Sequence, residues 1–475
     1  MNDELLIESG MTEFLSASQA RLYRAVPFSY AEGILNLYLD ESSADIHTLN
    51  EELEVITGKK IAVNKKEPAV IDSLIDKYYP AGKEDSRTKE QFFKGDADAF
   101  FRKVISEARA LKSSDIHIEA YEELCRVRIR VDGNLLLRYR LEKSFYPSLI
   151  NKIKIAADLD ISEKRLPQDG RIIFEQNNIK FDIRVSISPT LFGEKIVLRL
   201  LNKDSTNIEL DSLGFTSDEL ANYLECLKQP HGLVLISGPT GSGKTTTLYA
   251  TLKLLNKPAK NILTIEDPIE YTLEGVNQVQ LKENIGLSFS TALRSFLRQD
   301  PDIIMLGEIR DAETANMALR AALTGHLVLS TIHTNSAWGI VSRLIDMGIE
   351  PYLLATTLNL AVAQRLVRLL CNNCKTAAAF KPELYPKGFN PPRSIVDHYQ
   401  AVGCSQCFNT GYKGRKPVFE VIPVDHEIAE FIKSQASQID ELRESKNLRK
   451  ISTNAFELFE AGKTSLEEVY PLLIN

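Results

Sequence analysis

The stretch GLVLISGPTGSGKTTTLYATL, residues 232–252, runs from a short apolar segment through a glycine-rich turn into a helical pattern. Gly238–Thr245 fits G-x-x-x-x-G-K-[ST], in the strand–turn–helix context that this motif requires. Gly238, Gly241 and Gly243, interleaved with Pro239, Thr240 and Ser242, let backbone N–H groups curl around phosphates. Lys244 is placed to reach the β- and γ-phosphates, Thr245 offers a hydroxyl to Mg2+, and Thr246 completes the cradle. The helix that follows adds the positive end of its dipole to the anion site. The expected ligands are ATP and Mg2+.

Three more apolar strands follow, each closing on polar residues. NILTIEDPIEY (261–271) ends at Glu266 and Asp267, and PDIIMLGEIRD (301–311) at Glu308, with Arg310 and Asp311 beyond. HLVLSTIHTN (326–335) ends near His333. Strands rich in Ile, Val and Leu that alternate with helical segments indicate a parallel sheet, which binds ligands at its carboxyl ends. Lys244, Glu266, Glu308 and His333 should therefore converge on one nucleotide. Glu308 stands where an acidic group holds Mg2+ or its waters. That leaves Glu266 to orient and deprotonate the attacking water, although the two glutamates could exchange these roles. His333 is either a packed strand-end histidine or a sensor of the γ-phosphate.

A chain of 475 residues is too long for one core and implies about three domains. The net charge of −7 argues against broad nucleic-acid binding. MNDELLIESG lacks the basic start and apolar run of a signal peptide. The most apolar later stretch, LLATTLNLAVA (353–363), is shorter than the ~18 residues of a spanning helix. The expectation is a soluble, intracellular protein. In a reducing compartment, paired cysteines point to metal or redox chemistry sooner than to disulfides. Cys371 and Cys374 form one C-x2-C pair, and Cys404 and Cys407 form another after twenty-nine residues (375–403). Four thiolates make a closed tetrahedral zinc site with no place for a reacting water, so this zinc should hold structure. Cys125 and Cys226 stand alone and read as buried thiols.

Upstream, ADAFFRKVISEARALK (97–112) sets Phe100, Phe101, Val104, Ile105, Ala108 and Leu111 on one helical face. RVRIRV (126–131) and FDIRVSI (181–187) alternate with period two, which turns Phe181, Ile183, Val185 and Ile187 inward and leaves Arg184 on the polar face. AGKEDSRTKEQ (81–91) is charged, poor in apolar residues, and reads as a flexible linker. The fold class is thus α/β, a P-loop NTPase core preceded by a separate α/β domain.

These motifs together resemble the secretion ATPases that drive type II secretion and type IV pilus assembly. TIEDPIEY resembles that family's Asp box, and MLGEIRDAETANMALRAALTGHLVLSTIHTNSA (305–337) its Walker B running into its His box. SSDIHIE (113–119), RLPQDGR (165–171) and GEKIVLRLL (193–201) fit its preceding domain. The resemblance implies a RecA-like core and a homo-hexamer. It also implies arginines that close the site, with Arg184 and Arg199 at the matching positions. Arg294 and Arg298 are similar candidates, with a plain surface face as the other reading. CSQCFNTGYKGRKPVFE (404–420) is similar to the tetracysteine region of assembly-type and type II enzymes. VPFSYAEGILNLYLDESS (26–43) resembles the start of the small domain that docks on inner-membrane platform proteins.

The implied organisation is a docking domain at 1–80, a linker at 81–94, and an α/β, PAS-like domain at 95–205. The RecA-like core at 206–365, a zinc lobe at 366–420 and a helical end at 421–475 complete it. A protein attached peripherally to the cytoplasmic face of the inner membrane follows, with acidic phospholipid a candidate partner. No R-L-G repeat of the type that binds cyclic di-GMP is present, so none is expected to bind, and no nucleic acid is expected either. The alternatives are a pilus extension ATPase, a DNA-dependent RecA-like motor, and a nucleotide-binding scaffold without turnover.

Overall fold

The computed structural model describes residues 23–31, 33–41, 46–78, 91–92, 96–176, 179–201, 208–434 and 439–474, with six scattered positions before residue 21. The linker read at 81–94 lies almost wholly outside the described residues. The chain divides into two compact units, Met1–Gln91 and Phe92–Asn475.

In the first unit, β1 (Ala25–Ala31) and β2 (Ile34–Asp40) form an antiparallel pair, and β3 (Lys60–Lys66) adds parallel to β2. The parallel pairing needs a crossover, which α1 (Ile46–Thr57) supplies; α2 (Pro68–Tyr78) follows. Val26, Leu35, Leu37, Leu39, Leu53 and Ile71 form the core of this unit.

The second unit opens with an antiparallel sheet. Its strands are β4 (Gln91–Phe92), β5 (Asp115–Ala120), β6 (Cys125–Val131), β7 (Asn134–Leu141), β8 (Gln168–Gln176), β9 (Ile179–Thr190) and β10 (Gly193–Leu201). They lie in the order β4-β7-β6-β5-β10-β9-β8. Helices α3 (Ala97–Ala110) and α4 (Tyr146–Ala156) pack on one face. Asp96 caps α3 by accepting from Asp98 N and Ala99 N, an arrangement worth about 1 kcal/mol. Phe100, Phe101, Val104, Ile105 and Ala108 are buried as the helical period requires, and Leu111 packs against the same core as the cap residue. Phe181, Ile183, Val185 and Ile187 are likewise buried. The other face of this sheet is charged.

The core sheet holds β11 (Gly232–Ser237), β12 (Ile262–Glu266), β13 (Asn277–Gln280), β14 (Ile303–Leu306), β15 (Leu327–Ile332) and β16 (Leu358–Leu370). These six run parallel, and β19 (Tyr412–Pro423) closes the edge antiparallel to β16, giving the order β13-β12-β14-β15-β11-β16-β19. Helices cover both faces, so the strands can be apolar throughout. Along β11, Leu233 and Leu235 enter one core layer while Val234 and Ile236 enter the other. The helices are α5 (Ser217–Leu227), α6 (Lys244–Leu255), α7 (Phe289–Phe296), α8 (Ala312–Leu323), α9 (Trp338–Asp346) and α10 (Pro351–Thr357).

Between β16 and β19 lie the four cysteines and a two-stranded sheet, β17 (Thr376–Ala379) with β18 (Asp397–Gln400). Both long strands pass without a break through the sequence-derived limits at 365/366 and 420/421. The cysteine lobe thus grows out of the core sheet itself. Helices α11 (His426–Lys433), α12 (Asp440–Ser445), α13 (Ile451–Glu460) and α14 (Leu466–Leu473) complete the chain. Among the described residues, no helix is long and apolar enough to cross a membrane.

Candidate functional site

The glycine-rich turn joins β11 to α6, whose first residue is Lys244. Gly243 caps the helix with φ +91°, a left-handed conformation that glycine adopts without strain. Gly238 also has positive φ, and a Cβ there would stand 2.4 Å from the Gln364 carbonyl oxygen. A side chain at this position would push the loop off β16. Gln364 is buried and accepts a hydrogen bond from Thr247 Oγ1 at 2.8 Å, so α6 and the loop are both fixed to β16.

Lys244 folds back on the loop, donating to the carbonyls of Gly238 at 2.7 Å and Pro239 at 3.2 Å. Burial lowers its pKa, and the nearby Glu308 carboxylate opposes that shift. Thr245, the second residue of α6, is exposed. Arg365 donates to the carbonyls of Gln364 at 3.0 Å and Asn335 at 2.7 Å, which puts a second cation beside Gly238. The sequence pattern by itself does not single out Arg365 as a site residue.

Glu308 follows β14 and is partly buried. Burial pushes its carboxyl up, but Arg310 and His333 outweigh it, and the group sits below its ordinary value. His333 Nε2 lies 3.3 Å from Glu308 Oε2. The structure therefore brings His333 and Glu308 together at adjacent strand ends.

Glu266 is not free for a water. It is 3% exposed, and it accepts from Thr264 Oγ1 at 2.6 Å, from Gln278 Nε2 at 3.1 Å and from the Tyr249 hydroxyl. As the last residue of a strand flanked by β13 and β14 it has neighbours on both sides, which a pattern of strand ends does not reveal. Four residues on, Glu270 is half-exposed and lies 3.4 Å from Arg184 Nη1. Sequence reasoning passed over Glu270; its place as the second glutamate of the EDPIE run (266–270) was the available signal.

Arg184 stands on the charged face of the second unit's first sheet, as its strand pattern requires. It is partly buried there because it also donates to the Ile269 carbonyl. Arg199 lies directly across the β9/β10 ladder from Arg184 and pairs with Asp115 at 3.0 Å. Arg171 faces Arg184 from the other side, on β8. Three guanidinium-bearing positions thus form a row across three strands. Arg294 pairs instead with Glu313 at 2.8 Å, and Arg298, just past the end of α7, donates to the Arg294 carbonyl at 2.9 Å. Among the described residues, no hydrogen bond or ion pair joins either one to Gly238–Thr245. A cavity of about 370 Å³ between β12, β13 and α7, lined by Leu263, Val279, Leu287 and Phe296, contains none of these site residues.

The Sγ atoms of Cys371, Cys374, Cys404 and Cys407 all lie within 4.8 Å of one another, and three of the pairs are 3.7–3.9 Å apart. Thiolates about 2.3 Å from a central tetrahedral ion stand about 3.8 Å from each other, so the cluster fits one zinc-sized ion. Backbone N–H groups of Gly403, Cys404 and Gly411 point at the Cys374 and Cys407 sulfurs at 3.1–3.3 Å.

Residues 94–471 match the family model of type II/IV secretion system proteins. The chain is 38% identical to the type II secretion system ATPase E of Vibrio cholerae serotype O1, with 97% of this chain and 99% of that protein covered. It is 43% identical to the type IV pilus assembly ATPase PilB of Myxococcus xanthus, with 88% and 79% covered. Among solved structures it is similar to the pilus retraction motor PilT with bound ADP, at TM-score 0.54 and 26% identity over 78% of this chain and 96% of that one. The Legionella pneumophila ATPase DotB shares the fold, at TM-score 0.61 and 23% identity over 81% and 98%.

Proposed function

This chain belongs to the type II/IV secretion system protein family, and from that premise we propose that it is the motor ATPase of a type II secretion system, powering pseudopilus assembly and protein export. It is an ATP hydrolase. The observation that carries the choice is the match to the Vibrio cholerae type II enzyme across 97% of this chain, a span that takes in most of the N-terminal unit. The pilus assembly relative supports the second reading, a type IV pilus extension motor.

In hydrolysis the water oxygen bonds to the γ-phosphorus as the β,γ-bridging P–O bond breaks. The electron pair leaves on ADP, and the water's proton passes to a carboxylate. Lys244 holds the β- and γ-phosphates, while Thr245 and Glu308 are the groups that suit Mg2+, whose charge neutralises the phosphate oxygens. We assign the proton acceptor to Glu270 rather than Glu266. The half-exposed Glu270 can meet a water, whereas the oxygens of Glu266 are taken up by three donors. Arg184, with Arg199 behind it, supplies positive charge to the γ-phosphoryl group, and His333 reports that group to Glu308. For Arg294 and Arg298 the ion pair to Glu313 favours the surface reading.

The cysteine geometry supports a structural Zn2+ in the lobe. The family supports a homo-hexamer at the cytoplasmic face of the inner membrane, held through platform proteins docked on the N-terminal unit, with acidic phospholipid as a second surface. ATPase assays on the full chain with platform cytoplasmic domain, acidic vesicles or DNA test this reading. Stimulation by the platform domain is expected, and stimulation by DNA alone would overturn it.

A further inference from the structure

Tyr249 lies in the second turn of α6, and its side chain is 1% exposed. A buried phenol must find polar partners. Its O–H donates to Glu266 Oε2, and the same oxygen accepts from the backbone N–H of Glu270 at 3.3 Å. The ring stands edge-on to Tyr271, with centroids 4.6 Å apart. Gln278 Nε2 lies 3.1 Å from both Glu266 Oε1 and the Tyr271 carbonyl, bracing the cluster from β13.

A hydroxyl has one proton to give and lone pairs to receive. Here the proton goes to Glu266, so the lone pairs are left to accept from Glu270 N–H at 3.3 Å and from Gln278 Nε2 at 3.5 Å. Burial and the Glu266 charge both push the phenol pKa up, so it stays neutral and holds this direction. One buried oxygen thus ties the helix that begins at Lys244 to the segment that carries Glu270, and Glu270 in turn faces Arg184.

We propose that Tyr249 is a positioning residue for ATP hydrolysis: anchored by Glu266, it sets the backbone at Glu270 and so couples the P-loop helix to the carboxylate that takes the water's proton. This rests on the assignment of Glu270 made above. A phenylalanine would fill the same space and lose only the hydroxyl, so packing and positioning separate cleanly.

The test uses the full chain with Tyr249→Phe, Glu270→Gln and the double variant, read by steady-state ATPase kinetics and by titration with a fluorescent ATP analogue. Tyr249→Phe should bind the analogue within about twofold of wild type while kcat falls about 10- to 100-fold, the scale of a small misplacement at a reacting centre. In the Glu270→Gln background it should add no further loss, because residues that act through one another are not additive. An equal loss in both backgrounds, or a Tyr249→Phe enzyme at wild-type kcat, would overturn the coupling. A Glu270→Gln single variant at wild-type speed would overturn the assignment beneath it, and the coupling with it. Should Tyr249→Phe fail to fold, Glu266→Gln must show the same kcat loss and the same non-additivity, and its absence there overturns the proposal.

Discussion

Arg184 Nη1 lies 3.4 Å from Glu270 Oε2, so a strand of the antiparallel sheet reaches the carboxyl end of core strand β12 within one chain. A partly solvated pair of this kind contributes little stability, and its interest is chemical. Arg184→Ala should lower kcat by about 10³-fold or more with ATP binding nearly kept, the range of arginines that stabilise phosphoryl transfer. Because the contact is made within the chain, mixing Arg184→Ala with Lys244→Ala chains should restore no turnover. Recovery in verified mixed oligomers would instead place the arginine in a neighbour's site.

Lys244→Ala should abolish nucleotide binding, read by titration with a labelled ATP analogue. Glu308→Gln should bind ATP and turn it over far more slowly, since it changes the group that suits the metal and leaves the loop intact. Near wild-type turnover in both variants would show that the phosphates bind elsewhere.

Glu270→Gln should cost about 10²–10⁴-fold in kcat, the usual contribution of a positioned acid–base group, with little change in ATP affinity. A loss confined to affinity would make Glu270 a binding group only.

Removal of the cysteine pair by Cys404→Ser with Cys407→Ser should take the bound metal from one zinc ion per chain to none. Elemental analysis reads this directly. The lobe between β16 and β19 should lose hydrogen-exchange protection, while ATP still binds, because Gly238–Thr245 rests on β16 at Gln364, ahead of the cysteines. Protein purified under reducing conditions with no metal in it would refute the zinc reading.

Glu119 gives a pH prediction. Burial pushes its carboxyl up, but Arg128 and Arg126 more than reverse this and bring it down to about 2 from 4.5. A folded-state value below the unfolded one means that the stabilisation is full above about pH 4.5 and fades as pH falls toward 2. Partly solvated arginines screen the pair, so the effect should be about 1–2 kcal/mol. Glu119→Gln should flatten the acid loss of hydrogen-exchange protection over residues 115–131. An unchanged acid profile would show that the pair is energetically idle.

The chemistry of the P-loop was legible in the sequence because it is local. Phosphate cradling needs glycines, a lysine and a hydroxyl at fixed spacing within one turn, and Gly238–Thr245 states them all. The buried faces of α3 and β9 were legible for the same reason: period 3.6 and period 2 are written residue by residue. The cysteine pairs, too, carry their own geometry in each C-x2-C turn. What the sequence could not decide was which of several acidic groups at the strand ends meets solvent. Glu266 and Glu270 are four residues apart in one motif. Only the packing of α6 and β13 on β12 buries the first beneath Tyr249 and Gln278 and leaves the second beside Arg184. Likewise, Arg184, Arg199 and Arg171 become one row only when β8, β9 and β10 pair in this register. Burial and register arise from contacts between residues far apart in the chain, and these exist only once the whole sheet has closed.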